Sequence, residues 1–480
     1  MGKHSPVQWM KHVPLLGVLL LLFSAGPYIN RLPWFDESLT MDWLLFPFYQ
    51  IPFRYTIPNN HIFYTVCLSL WNSLLSFFDL HTFSLLRVLS LIFGVCAVWL
   101  IARRLNRAGG MYASLPVLFL FAASGPMILF STALRGYMPS MLFVFATFLT
   151  AESWMKKHIR KDLFLYFVFC YLSVLTIPTN ILSIGASLLF LLPIGLRNKK
   201  EFSRLFLLGM LAFAGMICAY LPILRKFLKV AQIKEGWYSY PDFLWNYYGT
   251  ILYIFLPLLI FCVIGVFRLP LKKYLKWRLF CFAGIFIFPA VFGGLFQTAP
   301  FPRVFFPLIA MIALILSYTL SGYLRSRKGV GQKLPLLISV IWMLAMPHLN
   351  SEASIKMFLA HYRDDLLHPY PISVPFQPHK VIRLVEEGYF QGRMKYLFVE
   401  FDADPPSISF LLLRNEKIPY DVLLRDHPRK GPVQEIPPET WIVCRDENNF
   451  NRVQERFKLS RNYRLLEESS GYYQKIYVPE

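Results

Sequence analysis

Two adjacent carboxylates, Asp36 and Glu37, follow the first long apolar run of the chain. Carboxylates at a membrane surface are costly to keep charged unless they are paired with a cation or used by the protein. The alternative is an acidic pair at the N-terminus of a helix, where the helix dipole stabilises negative charge. We therefore take Asp36 and Glu37 as candidate site residues.

Three arginines stand at the ends of other apolar runs: Arg87, Arg135 and Arg303. An arginine in such a position most often extends its side chain to the lipid headgroups. Three of them on the same membrane face as an Asp-Glu pair suit the binding of an anion instead. A phosphate fits best, because a guanidinium group binds it through two parallel hydrogen bonds.

Two further polar segments lie near these runs. Asn60 and His61 open an apolar segment in PNNHIFY, and Tyr137 follows Arg135 in ALRGYMP. A turn that caps a helix is the alternative explanation for Asn60 and His61. The seven cysteines show no metal-ligand spacing, so no zinc site or disulfide framework is indicated.

The composition of the chain is typical of a membrane protein. Of the 480 residues, 56% are hydrophobic and 16% are charged, whereas soluble domains carry about a quarter charged residues. This excludes a single soluble core and a disordered chain. The net charge of +21 would suit nucleic acid, but in so apolar a chain it is typical of cytoplasmic loops and contact with anionic membrane lipids, so no nucleic-acid partner is expected.

Apolar runs of roughly 17–21 residues, the length that a ~30 Å hydrocarbon core requires, predict a polytopic α-helical membrane protein with about 11 transmembrane helices. The first, 13–29, is an uncleaved signal anchor. The others are predicted near 84–102, 112–130, 138–154, 162–178, 181–196, 205–223, 249–268, 279–296, 302–322 and 333–349.

The segment 61–78 decides which side each loop faces. If it lies in the membrane interface without crossing, the inner segments carry 22 Lys and Arg against about nine outside. Cytoplasmic loops are enriched in Lys and Arg, so we predict an interfacial helix within an outer loop, 30–83. The N-terminus is then cytoplasmic, the C-terminus is extracytoplasmic, and the expected location is a bacterial inner (plasma) membrane.

From about residue 350 the charge rises and no apolar run is long enough to span. Short β-rich runs and segments with helical periodicity predict a small extracytoplasmic α/β domain over 350–480, distinct from a membrane module over 1–349. The expected strands lie in 395–401, 418–424 and 440–446, and the expected helices in 379–390 and 448–457.

The order of these features resembles the GT-C superfamily of glycosyltransferases, which use lipid-linked sugars and include the protein O-mannosyltransferases and the lipid A aminoarabinose transferase. An Asp-Glu pair after the first span is a signature of that superfamily. Four further segments resemble its interfacial helix, second span, arginine-tyrosine motif and late arginine element, in the same order: PNNHIFYTVCLSLW, LLRVLSLIFGVCAVWLIARRL, FSTALRGYMPSMLF and PRVFFPLIA.

The resemblance implies an inverting transfer of a sugar from a polyprenyl-phosphate donor to a hydroxyl of a glycan, lipid or protein acceptor. Asp36 matches the position of the family's general base, and Glu37 would orient it or bind sugar hydroxyls. Arg303 is the first candidate for binding the donor phosphate. Arg135 and Arg87 are candidates for the same charge.

The resemblance also implies that Asn60, His61 and Tyr137 line the sugar or acceptor pocket. Two positions depart from the family's motifs. An Ile-Phe dipeptide follows His61 where the family has two prolines, and Ala133 replaces an acidic residue. The acceptor and the participation of a divalent metal therefore stay open, and no cofactor is assigned.

Two other classes of protein remain as alternatives. A transporter or flippase of a lipid-linked saccharide would also place arginines and aromatics near the interface, but it predicts charges deep within spans or inverted repeats. The sequence shows no internal repeat. An adhesion or assembly protein acting through its outer domain would leave the Asp36–Glu37 pair unexplained.

The charge asymmetry generates a prediction of topology. A reporter fused after Arg107 or Lys200 should be cytoplasmic, and one fused after Glu480 should be extracytoplasmic, because the Lys- and Arg-rich loops stay inside. Alkaline phosphatase and fluorescent-protein fusions measure this. A cytoplasmic C-terminus would overturn the interfacial assignment of 61–78 and the common face of Asp36 and Arg303.

Overall fold

The computed structural model describes the greater part of the chain. Its described residues are 12–29, 47–54, 61–78, 83–223, 238–268, 302–325, 329–345, 378–400, 433–459, 461–470 and 474–480, with 37, 40–41, 44, 80, 284, 287–291, 294–295, 298–299, 327 and 422–424.

Helices dominate the first three quarters of the sequence. Those of seven residues or more, within the described ranges, are α1 (Val13–Ala25), α2 (Ile62–Phe77), α3 (Phe83–Gly109), α4 (Met111–Ala122), α5 (Gly125–Ser131), α6 (Tyr137–Lys157), α7 (Arg160–Thr176), α8 (Asn180–Leu189), α9 (Lys199–Tyr220), α10 (Tyr240–Arg268), α11 (Leu308–Leu324), α12 (Val330–Ala345), α13 (Pro378–Phe390) and α14 (Glu447–Phe457).

These helices follow the predicted pattern of apolar runs. Each predicted span overlaps at least one of them except 279–296, which lies mostly outside the described residues. The helix expected over 61–78 is present as α2. By length and composition, three of the described helices can cross a membrane, α3, α9 and α10, or up to four if the bent pair α4–α5 counts as one span. A membrane protein is confirmed; the number of crossings stays a prediction.

The span predicted over 112–130 is not one straight helix. It consists of α4 and α5, which are bent by 61° at the break between them. Pro126 stands in the first turn of α5. A proline lacks the N–H that would continue α4, and its ring clashes with the carbonyl four residues earlier, but it is well suited to start a helix. The bend therefore follows from the Ser124-Gly125-Pro126 sequence.

Helix α11 lies at the centre of the helical region. All of its residues except Tyr318 are buried, and it packs against α3, α4 and α10. A helix that is apolar on every side is stable only when neighbours cover it all round. In turn α3 contacts α1, α4 and α6, so α3 and α11 together link the early and late helices.

The C-terminal region forms a mixed β-sheet. Its strands are β3 (Tyr396–Val399), β4 (Leu423–Leu424), β5 (Thr440–Cys444), β6 (Tyr463–Leu465) and β7 (Lys475–Pro479); β1 (Tyr238–Ser239) and β2 (Thr298–Ala299) form a separate antiparallel pair. The sheet order is β4-β3-β5-β7-β6, with β3 parallel to β4 and β5, and β7 antiparallel to β5 and β6.

Each face of this sheet is covered by one helix. Val381 and Val385 of α13 pack with Trp441 on one face. On the other face Phe450 of α14 stacks on Tyr477, with ring centroids 3.9 Å apart. An α/β arrangement thus exists in this region, with α13, α14, β3 and β5 where the sequence predicts them, whereas β6 and β7 were not predicted.

By its internal contacts the chain divides into two compact units. The first comprises Met1–Asn30 and Phe48–His361, and the second comprises Arg31–Pro47 and Tyr362–Glu480. Glu37 therefore groups with the C-terminal unit. The arginines named above belong to the first unit.

The contact between α10 and α11 depends on a glycine. A methyl group at Gly265 would overlap the carbonyl oxygen of Thr319 and lie 3.0 Å from the backbone nitrogen of Tyr323. We expect Gly265→Ala to destabilise the protein by about 1–3 kcal/mol, because overpacking forces the helices apart. The midpoint of thermal unfolding in detergent measures this.

The matched control is Gly185→Ala. Gly185 lies in α8 with no heavy atom within 4 Å of the added methyl group. This substitution should leave the midpoint unchanged or raise it slightly, because alanine favours helix more than glycine does. Equal midpoints for the two variants would show that the two helices do not meet at Gly265.

Candidate functional site

His61 lies immediately before α2 and is 5% exposed. Its carbonyl accepts the first hydrogen bonds of the helix, from the Thr65 backbone nitrogen at 2.9 Å and the Thr65 hydroxyl at 3.1 Å. The imidazole itself caps nothing. Its Nδ1 atom is buried and has no hydrogen-bond partner among the described residues.

Gly136 and Tyr137 pack against the imidazole of His61. Tyr137, the first residue of α6, meets it edge to face with ring centroids 5.0 Å apart. A Cβ atom at Gly136 would lie 2.6 Å from Nδ1 of His61 and 2.8 Å from Cγ2 of Thr176. The absence of a side chain at Gly136 is therefore what lets the ring approach the backbone between α5 and α6.

Arg303 reaches the same region from late in the chain. It lies in a 3-10 turn, Pro302–Phe305, that precedes α11, and is 2% exposed. Phe306 follows this turn and connects it to α5 and α6 through aromatic contacts. Its ring meets that of Phe130 with centroids 4.6 Å apart, and Phe130 meets Tyr137 at 4.3 Å.

Both arginines act on His61 electrostatically. Burial lowers the pKa of His61 well below its usual value, and the positive charges of Arg135 and then Arg303 lower it further. The imidazole is therefore neutral at physiological pH, and two positively charged guanidinium groups act on it. We call His61, Arg135, Tyr137 and Arg303 the buried arginine site. A neutral imidazole beside guanidinium groups suits an anion that carries hydroxyl groups.

A chain of hydrogen bonds holds three segments of this site together. The Tyr64 hydroxyl in α2 and the Ser90 hydroxyl in α3 are 2.6 Å apart, and Ser90 donates to the carbonyl oxygen of Ala133. The backbone nitrogen of Arg135 donates to the same carbonyl at 2.8 Å. Each segment carries a candidate site residue, so this chain sets their spacing.

Arg87 has a contact that the sequence did not suggest. Its side chain is fully buried and donates to the carbonyl oxygen of Ile29 at 2.8 Å. This bond ties the start of α3 to the end of the first apolar run. Arg87 therefore has a structural contact, and its role toward a phosphate stays a prediction.

Asp36 and Asn60 lie outside the described residues. Glu37 is described, is fully buried, and belongs to the second unit. The structure thus brings together His61, Arg135, Tyr137 and Arg303 from the predicted set.

The described residues contain no group of three or more His, Cys, Asp or Glu side chains that could bind a metal ion. Ala133, at the position of the acidic residue in the family's motif, is fully buried. Its carbonyl oxygen accepts hydrogen bonds from the Ser90 hydroxyl and from the backbone nitrogen of Arg135.

Several site residues were not identified from the sequence. Tyr64, Ser90 and Phe130 stand within the quoted motifs, but nothing in their local pattern shows that their side chains contact distant segments. Gly136 carried a usable signal, because a glycine between an arginine and a tyrosine at a helix start indicates a close approach of another chain segment.

No protein-family model matches this sequence, and no curated protein matches it. Solved structures do match the fold. The crystal structure of ArnT from Cupriavidus metallidurans in the apo state is 12% identical, with a TM-score of 0.59 over 98% of each chain. The same protein bound to undecaprenyl phosphate is 11% identical, with a TM-score of 0.59 over 99% of this chain and 98% of that chain.

ArnT is a GT-C protein, and the likeness extends over nearly the whole length of both chains. The fold expected from the order of the sequence motifs is therefore confirmed: this chain has the fold of the ArnT structures.

Proposed function

We propose that the protein is an inverting glycosyltransferase that moves a sugar from a polyprenyl-phosphate donor to an acceptor hydroxyl on the outer face of the membrane. The observation that carries this proposal is the buried arginine site, where neutral His61 lies in the field of Arg135 and Arg303. The fold supports it, since a protein of the same fold has been crystallised with undecaprenyl phosphate.

The donor phosphate is assigned to Arg303, with Arg135 as the second charge. When the glycosidic bond breaks, negative charge grows on the departing lipid phosphate, so fixed positive groups lower the barrier. Arg303 is 2% exposed and Arg135 is 1% exposed. Burial strengthens their attraction for an anion relative to the same contact in water.

Asp36 is assigned as the general base on the acceptor hydroxyl, and Glu37 as its neighbour that orients it or binds a sugar hydroxyl. Inversion needs one base that removes the acceptor proton as the anomeric carbon is attacked. The support for Asp36 is its position in the family's motif. The burial of Glu37 indicates that its own carboxylate is not part of a solvent-exposed acidic cap.

His61, Tyr137 and Asn60 are assigned to the sugar or acceptor pocket. A neutral imidazole both donates and accepts hydrogen bonds, which matches hydroxyl groups on a sugar ring. The ring of Tyr137 supplies an adjacent apolar face. The identity of the sugar, a hexose or a pentose, and of the glycan, lipid or protein acceptor is an experimental question.

Comparing the cell-envelope glycans of a deletion strain with those of its parent by mass spectrometry identifies the acceptor. Purified protein can then be supplied with that acceptor and a defined polyprenyl-phosphate sugar. Sugar transfer with release of polyprenyl phosphate supports the proposal. Movement of the intact lipid-linked sugar across a vesicle membrane, without transfer, would instead establish a flippase.

The role of Asp36 generates one prediction. Asp36→Asn keeps the size of the side chain but removes its basicity, so the transfer rate should fall by roughly 10²–10⁴-fold. The control is Asp79→Asn, in the same predicted outer segment, which should transfer at the normal rate. Near-normal transfer by the Asp36→Asn protein would exclude Asp36 as the base.

The proposed role of Arg303 generates a second prediction about the transfer reaction. If its two parallel N–H groups bind the phosphate, lysine cannot reproduce them, and Arg303→Lys should lower turnover as well as donor affinity. A charge-assisted hydrogen bond is worth about 1.5–3 kcal/mol, so we expect a fall of roughly ten- to a hundredfold. Steady-state transfer by purified protein in detergent measures this.

Arg325→Lys serves as the matched control, because Arg325 is exposed and lies at the other end of α11. It should not change the transfer kinetics. If Arg303→Lys retains full activity while Arg303→Ala loses it, a single positive charge suffices and the two-bond assignment is wrong.

A further inference from the structure

A charged cavity lies far from the buried arginine site. It has a volume of about 420 Å³ and is formed where α3 and α6 end. Its ionisable lining residues are Arg103, Arg104, Arg107, Glu152, Lys156 and Lys157.

The two helices set the distance between the cavity and the site. Helices α3 and α6 both extend away from the buried arginine site, because Arg87 lies near the start of α3 and Tyr137 is the first residue of α6. At 1.5 Å per residue the cavity lies roughly 20–25 Å further along the helices. The short Lys- and Arg-rich segments here are those that the charge asymmetry assigns to the cytoplasmic side.

One buried carboxylate organises the cavity. Glu152 is 5% exposed and accepts hydrogen bonds from the Arg104 guanidinium at 3.0 and 3.1 Å and from Lys156 at 2.7 Å. These bonds hold one cation from α3 and one from α6 in fixed positions. Basic residues that only extend to the lipid headgroups at the cytoplasmic end of a span do not need a buried carboxylate to hold them in place.

The other three cations are not neutralised within the described part of the chain. Arg103, Arg107 and Lys157 are exposed and have no acidic partner among the described residues. Among the residues that line the cavity, five basic side chains against one carboxylate leave a formal charge of +4. Arg103 and Arg107 are four residues apart on α3, so their guanidinium groups lie on one helix face.

An apolar surface adjoins these charges. Trp99 is 45% exposed and lies one turn before Arg103 on the same face of α3, toward the middle of the helix. A molecule with its anionic part in the cavity would therefore have an apolar part along Trp99. That arrangement matches a membrane lipid and not a soluble anion.

We propose that this cavity binds the headgroup of an anionic phospholipid that carries two phosphates, of the cardiolipin class. Arginine binds phosphate through paired hydrogen bonds, and four net positive charges exceed what one phosphate neutralises. Basic pockets between transmembrane helices on the cytoplasmic side suit such headgroups. The proposal is independent of the transferase reaction, because it uses none of the residues assigned to it.

The test is native mass spectrometry of the purified full-length protein titrated with tetraoleoyl cardiolipin, dioleoyl phosphatidylglycerol or dioleoyl phosphatidylcholine. We expect one cardiolipin to bind at least tenfold more tightly than either other lipid. Arg103→Gln/Arg107→Gln should weaken cardiolipin binding about thirtyfold, and Lys157→Gln alone about fivefold. All three residues are exposed, so the substitutions leave the helix packing intact.

The control is Lys199→Gln/Lys200→Gln, which removes the same charge at the start of α9 from residues that do not line the cavity. Its cardiolipin affinity should equal that of the unchanged protein. Equal weakening by the two double variants, or equal binding of phosphatidylglycerol and cardiolipin, would overturn the proposal. Inorganic pyrophosphate that displaces cardiolipin at an equal concentration would identify a soluble anion as the ligand, which also overturns it.

Discussion

The burial of charged guanidinium groups at helix ends is the constraint on which the rest of the helical region depends. Arg87, Arg135 and Arg303 are at most 2% exposed. A guanidinium stays protonated at any physiological pH, so burial is tolerable only where hydrogen bonds and complementary charge are supplied. The bond from Arg87 to the Ile29 carbonyl is one such compensation. A bound phosphate would be another, because the charges of Arg135 and Arg303 both act at His61.

The local structure around these arginines explains how the helix ends approach so closely. Ser124-Gly125-Pro126 breaks the third predicted span into α4 and α5, and Gly136 removes the side chain that would keep His61 away from the start of α6. The hydrogen bonds from Tyr64 through Ser90 to Ala133 then fix α2 and α3 against this connection. In the proposed reaction, a preorganised site of this kind would lose little free energy in reorganising as charge develops.

Apolar length and residue order were sufficient to predict where most helices lie. They also named His61, Arg135, Tyr137 and Arg303, which the fold brings together, while the functional roles of these residues stay predictions. Close approaches between distant segments were not predictable. The contact of His61 with Gly136 and the hydrogen bond from Arg87 to Ile29 each join positions 58 or more residues apart. The neutral state of the His61 imidazole likewise depends on arginines that are distant in the sequence. Strands β6 and β7 were missed for a related reason, since such short runs become strands only by pairing with β5 and with each other.

The most direct test of the account is an experimental structure of the purified protein with undecaprenyl phosphate bound, in which the position of the phosphorus atom is measured. The account predicts phosphate oxygens about 2.7–2.9 Å from the guanidinium nitrogens of Arg303, the range of charge-assisted hydrogen bonds, with His61 and Tyr137 beside the phosphate. A phosphate bound away from His61, Arg135 and Arg303 would contradict the claim that these residues form the donor site.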